Sequence, residues 1–245
     1  MKKLLLVLIM LCLAGIGNGP VSAKDFNETA SQLLLNAVKN NDLEQVKQAF
    51  VMGADPNYLQ SRSDAPFNRA IRNAKSTAIV QCFIDNGVDV NFKAEGNGTY
   101  PSALASAFSE RRLDIMELLL NAGADPNLSF DAEIVKDHKI YDIHGVTIAF
   151  WAVRSDEPIY LNILKLLIEK GANVNKADSM GNTPLIEACE QGKIESVKIL
   201  LANGANPNQA NIKAEKPLDL AIKSGNKEII DILTPLTKLL PLTKN

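Results

Sequence analysis

The stretch that decides the fold is GNTPLIEACEQGKIESVKILLANGANPN, residues 181–208. From Ile194 to Leu201 its apolar residues recur at offsets 0, 3, 6 and 7, which is the stripe of an amphipathic helix. Thr183 and Pro184 begin a shorter helix, because threonine caps a helix N-terminus and proline fits the first helical position. A helix of about eight residues does not persist alone in water. The pair therefore predicts a unit that stacks on neighbouring units.

The same pattern recurs along the chain. Five related pentapeptides each follow an apolar stripe of helical period and begin with Gly53, Gly87, Gly123, Gly171 and Gly204. Successive glycines are 34, 36, 48 and 33 residues apart, a spacing typical of repeat proteins. Each glycine stands where a helix ends in a left-handed residue, a conformation that glycine adopts at no steric cost.

These residues resemble the ankyrin repeat family, whose units read roughly G-x-T-P-L-x-x-A, then V-x-x-L-L, then G-A-x-x-N. The resemblance covers about residues 30–236 and implies an all-α fold, an ankyrin-repeat solenoid of about six helix-turn-helix units with short loop or hairpin tips. We expect a repeat domain at 24–236 and a C-terminal tail at 237–245. Its units are expected near residues 28–60, 61–94, 95–128, 129–177, 178–210 and 211–236.

The N-terminus has the pattern of a secretory signal peptide. Lys2 and Lys3 precede an apolar run at 4–14, and the stretch ends in small residues at 21–23. We expect residues 1–23 to be removed after Ala23 and the protein to be periplasmic. The apolar run is shorter than the roughly 20 residues that a membrane span needs. We therefore expect no integral membrane span after cleavage.

Composition and motifs argue against several functions. The 245 residues carry a net charge of −2, so no basic field favours nucleic acid. The sequence has no phosphate-binding glycine loop, nucleophile elbow or His-Glu-x-x-His motif, so we expect no enzyme activity, no cofactor and no catalytic residue.

Cys82 and Cys189 would suggest a disulfide in an exported protein. Because each repeat contacts only its neighbours, we expect two free thiols instead.

The 48-residue spacing marks an insertion at 128–146. Asn127 and Thr147 are 20 residues apart, whereas the equivalent Asn175 and Thr183 are 8 apart, which leaves 12 extra residues. We expect a solvated loop that contacts a partner through its aromatic residues. The insertion also holds both histidines, but their spacing from Asp137 and Asp142 fits no metal motif, so we expect no metal site. A proton-sensitive contact is the remaining alternative.

Trp151 follows the insertion and aligns with Glu187, a position that is often partly exposed. Its side chain either packs in the core or anchors a partner. The resemblance implies that a protein partner meets the concave face, built from the tips and the short helices. The expected partner-binding residues are Tyr141, His144, Trp151, Arg154, Met180, Asn182, Glu190, Gln191 and Lys223.

Small exported ankyrin proteins resemble immunity proteins that bind and block antibacterial toxins in the periplasm, including phospholipase effectors of type VI secretion. The resemblance implies a non-catalytic protein that is monomeric when free and acts by covering the toxin's active site. Two alternatives stay open. One is a periplasmic accessory to oxidative-stress defence, and the other is a secreted effector that binds host proteins.

Overall fold

The structure, a computed structural model, describes residues 23–58, 65–73, 77–92, 102–136 and 139–237. Within these residues the chain forms twelve helices and two strands, and the predicted fold of repeated helix pairs is confirmed. The helices are α1 (Ala23–Lys39), α2 (Leu43–Val51), α3 (Pro66–Asn73), α4 (Ala78–Asp85), α5 (Ala103–Ser109), α6 (Leu113–Asn121), α7 (Ile148–Ala152), α8 (Pro158–Glu169), α9 (Pro184–Glu190), α10 (Ile194–Ala202), α11 (Pro217–Ser224) and α12 (Lys227–Leu233). The predicted signal peptide at 1–23, apart from Ala23, and the predicted tail at 237–245, apart from Thr237, lie outside the described residues.

The described residues divide into two compact parts, the first ending at Ser106 and the second beginning at Ala107. In the first part α1 packs on α2 and α3, and α4 packs on α2 and α3. The core of this part contains the buried ring of Phe83, whose centre lies 5.1 Å from the ring centre of Phe50 and 5.3 Å from that of Phe67. These aromatic contacts hold the two helix pairs together.

In the second part the helices form two rows. The first helices of the units, α7, α9 and α11, pack side by side, and so do the second helices, α6, α8, α10 and α12. The apolar stripes read from the sequence form the core between the rows, because Leu119, Leu164 and Leu200 are fully buried. Thr183 caps α9 as predicted, and the equivalent Thr147 caps α7; each hydroxyl accepts a bond from a backbone N–H of the first turn.

The recurrent asparagine joins one unit to the next. The Asn127 side-chain oxygen accepts a bond from the Asn173 backbone N–H at 2.6 Å, and its amide nitrogen donates to the Gly171 carbonyl at 3.0 Å. Asn175 makes the same pair of bonds to the following unit. The asparagine thus satisfies backbone groups that the end of a helix leaves without partners.

The insertion is a β-hairpin, so the prediction of a solvated loop was wrong. Strand β1 (Phe130–Lys136) pairs antiparallel with strand β2 (Lys139–Val146), with a register irregularity between Phe130 and Ala132. The backbone groups bond across the hairpin instead of to water, and apolar side chains at its base bury each other against α7. Ile143 and Val146 of the hairpin are buried with Phe150 of α7, and Ala132 and Trp151 pack against this cluster. Asp137 and His138 lie outside the described residues.

Candidate partner-binding surface

The hairpin and two repeat tips are joined by hydrogen bonds. His144 in β2 exchanges two bonds with Ser179, whose backbone N–H donates to the His144 carbonyl at 2.8 Å. The Ile212 N–H donates to the Met180 carbonyl at 3.0 Å. We call this structure the tip row, and it consists of β2, residues 178–182 and residues 211–215. Its hydrogen bonds give the second part a continuous edge built from three units.

Each of the two tips is held by an Asx turn. The Asp178 carboxylate accepts bonds from the backbone N–H groups of Met180 at 2.9 Å and Asn182 at 2.8 Å. Asn211 does the same for Lys213 and Glu215, both at 3.0 Å. Because the side chain replaces a missing backbone partner, each tip keeps one shape without a helix or strand.

A cavity of about 60 Å³ lies between the two tips and the first helices α9 and α11. Its wall includes two carboxylates, Glu190 and Glu215. The Asn211 amide and the Lys223 ammonium, which both bond to Glu215, hold the pKa of that carboxyl below its usual range. Ile212 stands at the wall with 66% of its surface exposed. The remaining lining residues are Met180, Asn182, Asn211, Lys213 and Leu220.

Arg154 forms a second cluster beside the tip row. Its guanidinium carbon lies 4.9 Å from the ring centre of Trp151, within the range of a cation–π interaction. Its Nε lies 3.3 Å from Oε1 of Glu187, a carboxylate whose side chain is only 6% exposed. The Gln191 amide donates to the same Glu187 oxygen at 3.1 Å. We call Trp151, Arg154, Glu187 and Gln191 the Arg154 cluster.

Trp151 takes the first of the two roles that the sequence left open, packing in the protein, and its role as a partner anchor stays a prediction. It packs on the hairpin base and meets the Phe150 ring edge-on, with ring centres 6.3 Å apart. It is only partly buried, and the Arg154 guanidinium lies over its ring. Its indole N–H is buried and has no acceptor among the described residues.

The structure brings most of the predicted partner-binding residues into two groups. Trp151, Arg154 and Gln191 belong to the Arg154 cluster. Met180, Asn182 and Glu190 line the cavity, and Lys223 bonds to its wall at Glu215. A partner role for each of these residues stays a prediction.

The other two predicted residues lie on the hairpin. His144 is exposed, and its Nδ1 lies 3.1 Å from the Asp131 carboxylate. Tyr141 pairs with Ile134 in the strand register, and its side chain is outside the described part. Neither belongs to the Arg154 cluster or to the cavity wall, and their partner roles also stay predictions.

Sequence reasoning missed Glu187, Ile212 and Glu215. The Glu187 position was expected to be partly exposed, but the side chain is buried because Arg154 and Gln191 provide its partners. The sequence did contain a signal for Ile212, because this apolar residue aligns with the polar Ser179. The structure shows that its side chain is exposed. Glu215 could have been noticed as the only acid between Asn211 and Lys216.

The remaining chemistry of the described residues is sparse. Cys82 and Cys189 are free, as predicted, and burial raises the pKa of the Cys189 thiol to about 12. In the described ranges no group of three or more His, Cys, Asp or Glu side chains is placed to hold a metal ion. No helix in that part of the chain is long and apolar enough to cross a membrane.

A profile described as "Ankyrin repeats (3 copies)" matches residues 34–130, 131–211 and 150–238. The chain belongs to the ankyrin repeat family. Its ankyrin repeats are 32% identical over 133 residues to ankyrin repeat and SOCS box protein 6 of Mus musculus, covering 54% of this chain and 28% of that protein. They are 33% identical over 154 residues to the mitochondrial disaggregase of Bos taurus, covering 53% of this chain and 22% of that protein.

A third relative is ankyrin repeat and KH domain-containing protein mask-1 of Caenorhabditis elegans, 30% identical over 125 residues, which are 49% of this chain and 5% of that protein. The chain thus spans less than a third of the length of the three relatives. What is shared is the ankyrin repeat region, a protein–protein interaction module that is generally not catalytic. The coarser prediction of a protein-binding module is therefore confirmed.

Proposed function

We propose that this chain is an exported binding protein that holds one partner protein on the tip row and the first helices α7, α9 and α11. One observation carries the proposal. Arg154, Glu190 and Lys223 each stand seven residues after the N-cap of their helix, so adjacent first helices present a charged residue at the same position. Their signs alternate from one repeat to the next, which favours a partner of complementary charge pattern.

The contacts beside these charges suit a specific interface. Ile212 supplies an exposed apolar group at the cavity, and Trp151 and Arg154 are of the residue types that dominate binding energy at interfaces. A stable complex of standard size buries about 1,200–2,000 Å². Such an area requires several repeats at once, and the hydrogen-bonded tip row would present three of them in a fixed arrangement.

We further propose that the protein works in the periplasm as an immunity protein, which binds a cognate antibacterial toxin and covers its active site. The support is the signal-peptide pattern at residues 1–23 and the resemblance to small exported ankyrin proteins. A phospholipase effector of type VI secretion is the toxin class that this resemblance favours. Blocking by coverage needs no catalytic group of the immunity protein itself.

The experiment is capture of the partner from cells that express the tagged chain from its own gene, with mass spectrometry of the bound protein. The surface variant is Arg154→Glu, Glu190→Lys and Lys223→Glu combined. A matched control reverses three exposed charges on the second helices, Lys165→Glu, Lys227→Glu and Asp231→Lys, for the same change in net charge. Circular dichroism checks that both variants fold.

We expect the wild-type and control chains to retain one partner in fixed stoichiometry and the surface variant to lose it. Immunity further requires that cells lacking the gene be killed by siblings that deliver this partner. Sensitivity to peroxide without sibling killing would replace immunity by the oxidative-stress role. Loss of the partner in the control but not in the surface variant would show that the binding surface lies elsewhere.

A further inference from the structure

The Arg154 guanidinium is fixed before any partner arrives. The Trp151 ring lies under it, and the buried Glu187 carboxylate lies beside its Nε, while 28% of the arginine side chain stays exposed. A free arginine loses much side-chain entropy when it is immobilised in a complex. Here part of that loss has already occurred in the free protein, which lowers the cost of binding.

The two terminal nitrogens of Arg154 remain available. Neither makes a hydrogen bond to the described residues, and neither is among the buried polar atoms without partners. They are therefore open to solvent. A planar guanidinium with two open terminal nitrogens matches the two oxygens of a carboxylate, which accepts two parallel hydrogen bonds.

The unpartnered indole N–H of Trp151 indicates why a tryptophan stands there. A buried donor without an acceptor lowers stability, and a phenylalanine would fill an apolar site without that penalty. Tryptophan, however, is the strongest of the aromatic side chains in cation–π interactions. The residue thus costs stability in the free protein and improves the support of Arg154.

We propose that Arg154 is a docking site for a carboxylate of the partner protein, positioned by Trp151 and Glu187. The inference rests on the proposed function only in that the carboxylate belongs to a protein partner. Because the equivalent position on α9 carries Glu190, the matching partner surface presents an acidic group at one repeat and a basic group at the next.

The test is selection of random 12-residue peptides displayed on phage. Peptides are selected on the wild-type chain and depleted on Arg154→Gln. The matched control is Arg111→Gln. Arg111 also lies over an aromatic ring, 5.2 Å from the centre of Tyr160, and 3.4 Å from a Glu157 carboxylate oxygen, but 56% of its side chain is exposed.

We expect the peptides that need Arg154 to contain an aspartate or glutamate and to bind Arg111→Gln as they bind wild type. Replacing that acid by its amide, or Arg154 by lysine, weakens binding by about tenfold or more. Trp151 is the single tryptophan of the chain, so binding also shifts its one indole N–H resonance.

Three outcomes would overturn the inference: no peptide that depends on Arg154, such peptides without an acidic residue, or unchanged affinity after the acid is replaced by its amide. The proposed function is judged separately by partner capture. A partner that Arg154→Gln still binds at wild-type affinity would leave the function standing and remove this site. Acidic peptides that depend on Arg154, with no partner captured, would leave the site and remove the function.

Discussion

The Asp156 carboxylate accepts a hydrogen bond from the Ser196 hydroxyl at 2.8 Å, although the two residues belong to neighbouring repeats. It also accepts the backbone N–H groups of Glu195 at 3.2 Å and Ser196 at 3.1 Å. These groups lie in the first turn of α10, whose own N-cap residue, Lys193, makes no capping bond with its side chain. The cap of α10 therefore comes from the turn between α7 and α8, and it ties the two units together.

We expect Asp156→Ala to lower the free energy of unfolding by about 1–2 kcal/mol, because it removes a helix cap and leaves the polar groups of the fully buried Ser196 without an acceptor. Asp156→Asn keeps an acceptor oxygen and is expected to cost less. Urea unfolding followed by circular dichroism measures both variants. Equal losses for alanine and asparagine would contradict the capping role.

Gly181 is required by the neighbouring tip as well as by its own backbone. A Cβ added there would lie 3.0 Å from the Asn211 Cα and from the Ile212 nitrogen, and its φ is +75°. Gly204 has a similar φ of +85°, but its Cβ would meet nothing within 4 Å. Comparing alanine substitutions at the two glycines thus separates the cost of left-handed strain from the cost of a clash between the tips.

We expect Gly204→Ala to cost about 1 kcal/mol of stability from left-handed strain, and Gly181→Ala to cost roughly 1–3 kcal/mol more from the clash. Hydrogen exchange of the Ile212 amide, which bonds to Met180, should accelerate in Gly181→Ala alone. If the two variants lose the same stability and the Ile212 amide stays protected in both, the tips do not depend on this close approach.

The features of the fold that could be predicted from the sequence were those that recur in each repeat. The stripe from Ile194 to Leu201 and the recurrent glycines and asparagines specify local helix pairs, and their spacing aligns one pair on the next. The hairpin at 130–146 was missed because it occurs once, so no second copy supports its pattern, and its register irregularity breaks the alternation of a regular strand.

The Arg154 cluster was predicted without its buried carboxylate, Glu187, for a related reason. Trp151, Arg154 and Gln191 were expected at a binding surface, but Glu187 lies 33 residues after Arg154 and belongs to the next repeat. From sequence alone a glutamate is expected at the surface, because glutamate is rarely buried unless its side chain is paired. The pairing of Trp151 and Glu187 around one arginine follows from the packing of α7 on α9, which no local pattern reports.

Ala214 occupies a left-handed position, with φ +60°, where the preceding tip has Gly181. We expect Ala214→Gly to stabilise the protein by about 0.5–1 kcal/mol, since the relief of left-handed strain exceeds the added entropy of glycine in the unfolded chain. Arg111→Gly is the control, because Arg111 has φ +54° but also contacts Tyr160 and Glu157. We expect Arg111→Gly to gain less stability than Ala214→Gly, because it also loses these contacts. Thermal unfolding compares the two variants. A loss of stability in Ala214→Gly would contradict the expectation that Ala214 is strained in its left-handed conformation.

The buried thiol of Cys189 makes stability depend on pH. Burial raises its pKa from 9.0 to about 12 in the folded state. A raised pKa means that the unfolded chain releases the proton first, so this contribution to stability is fully present below pH 9 and is lost as pH rises toward 12. Each pH unit in that window removes about 1.4 kcal/mol.

We therefore expect the difference in unfolding free energy between wild type and Cys189→Ala to change by about 2 kcal/mol between pH 8 and pH 10.5, in the direction that favours the variant at the higher pH. Other alkaline titrations occur in both proteins and cancel in this difference. Cys82→Ala provides the comparison, because the Cys82 thiol is only partly buried and its pKa, although also raised by burial, is opposed by nearby Lys47. A difference that stays constant across this range for Cys189→Ala would mean that water reaches the thiol in the folded protein, and thiol labelling of the folded chain would then proceed at Cys189 as readily as at Cys82.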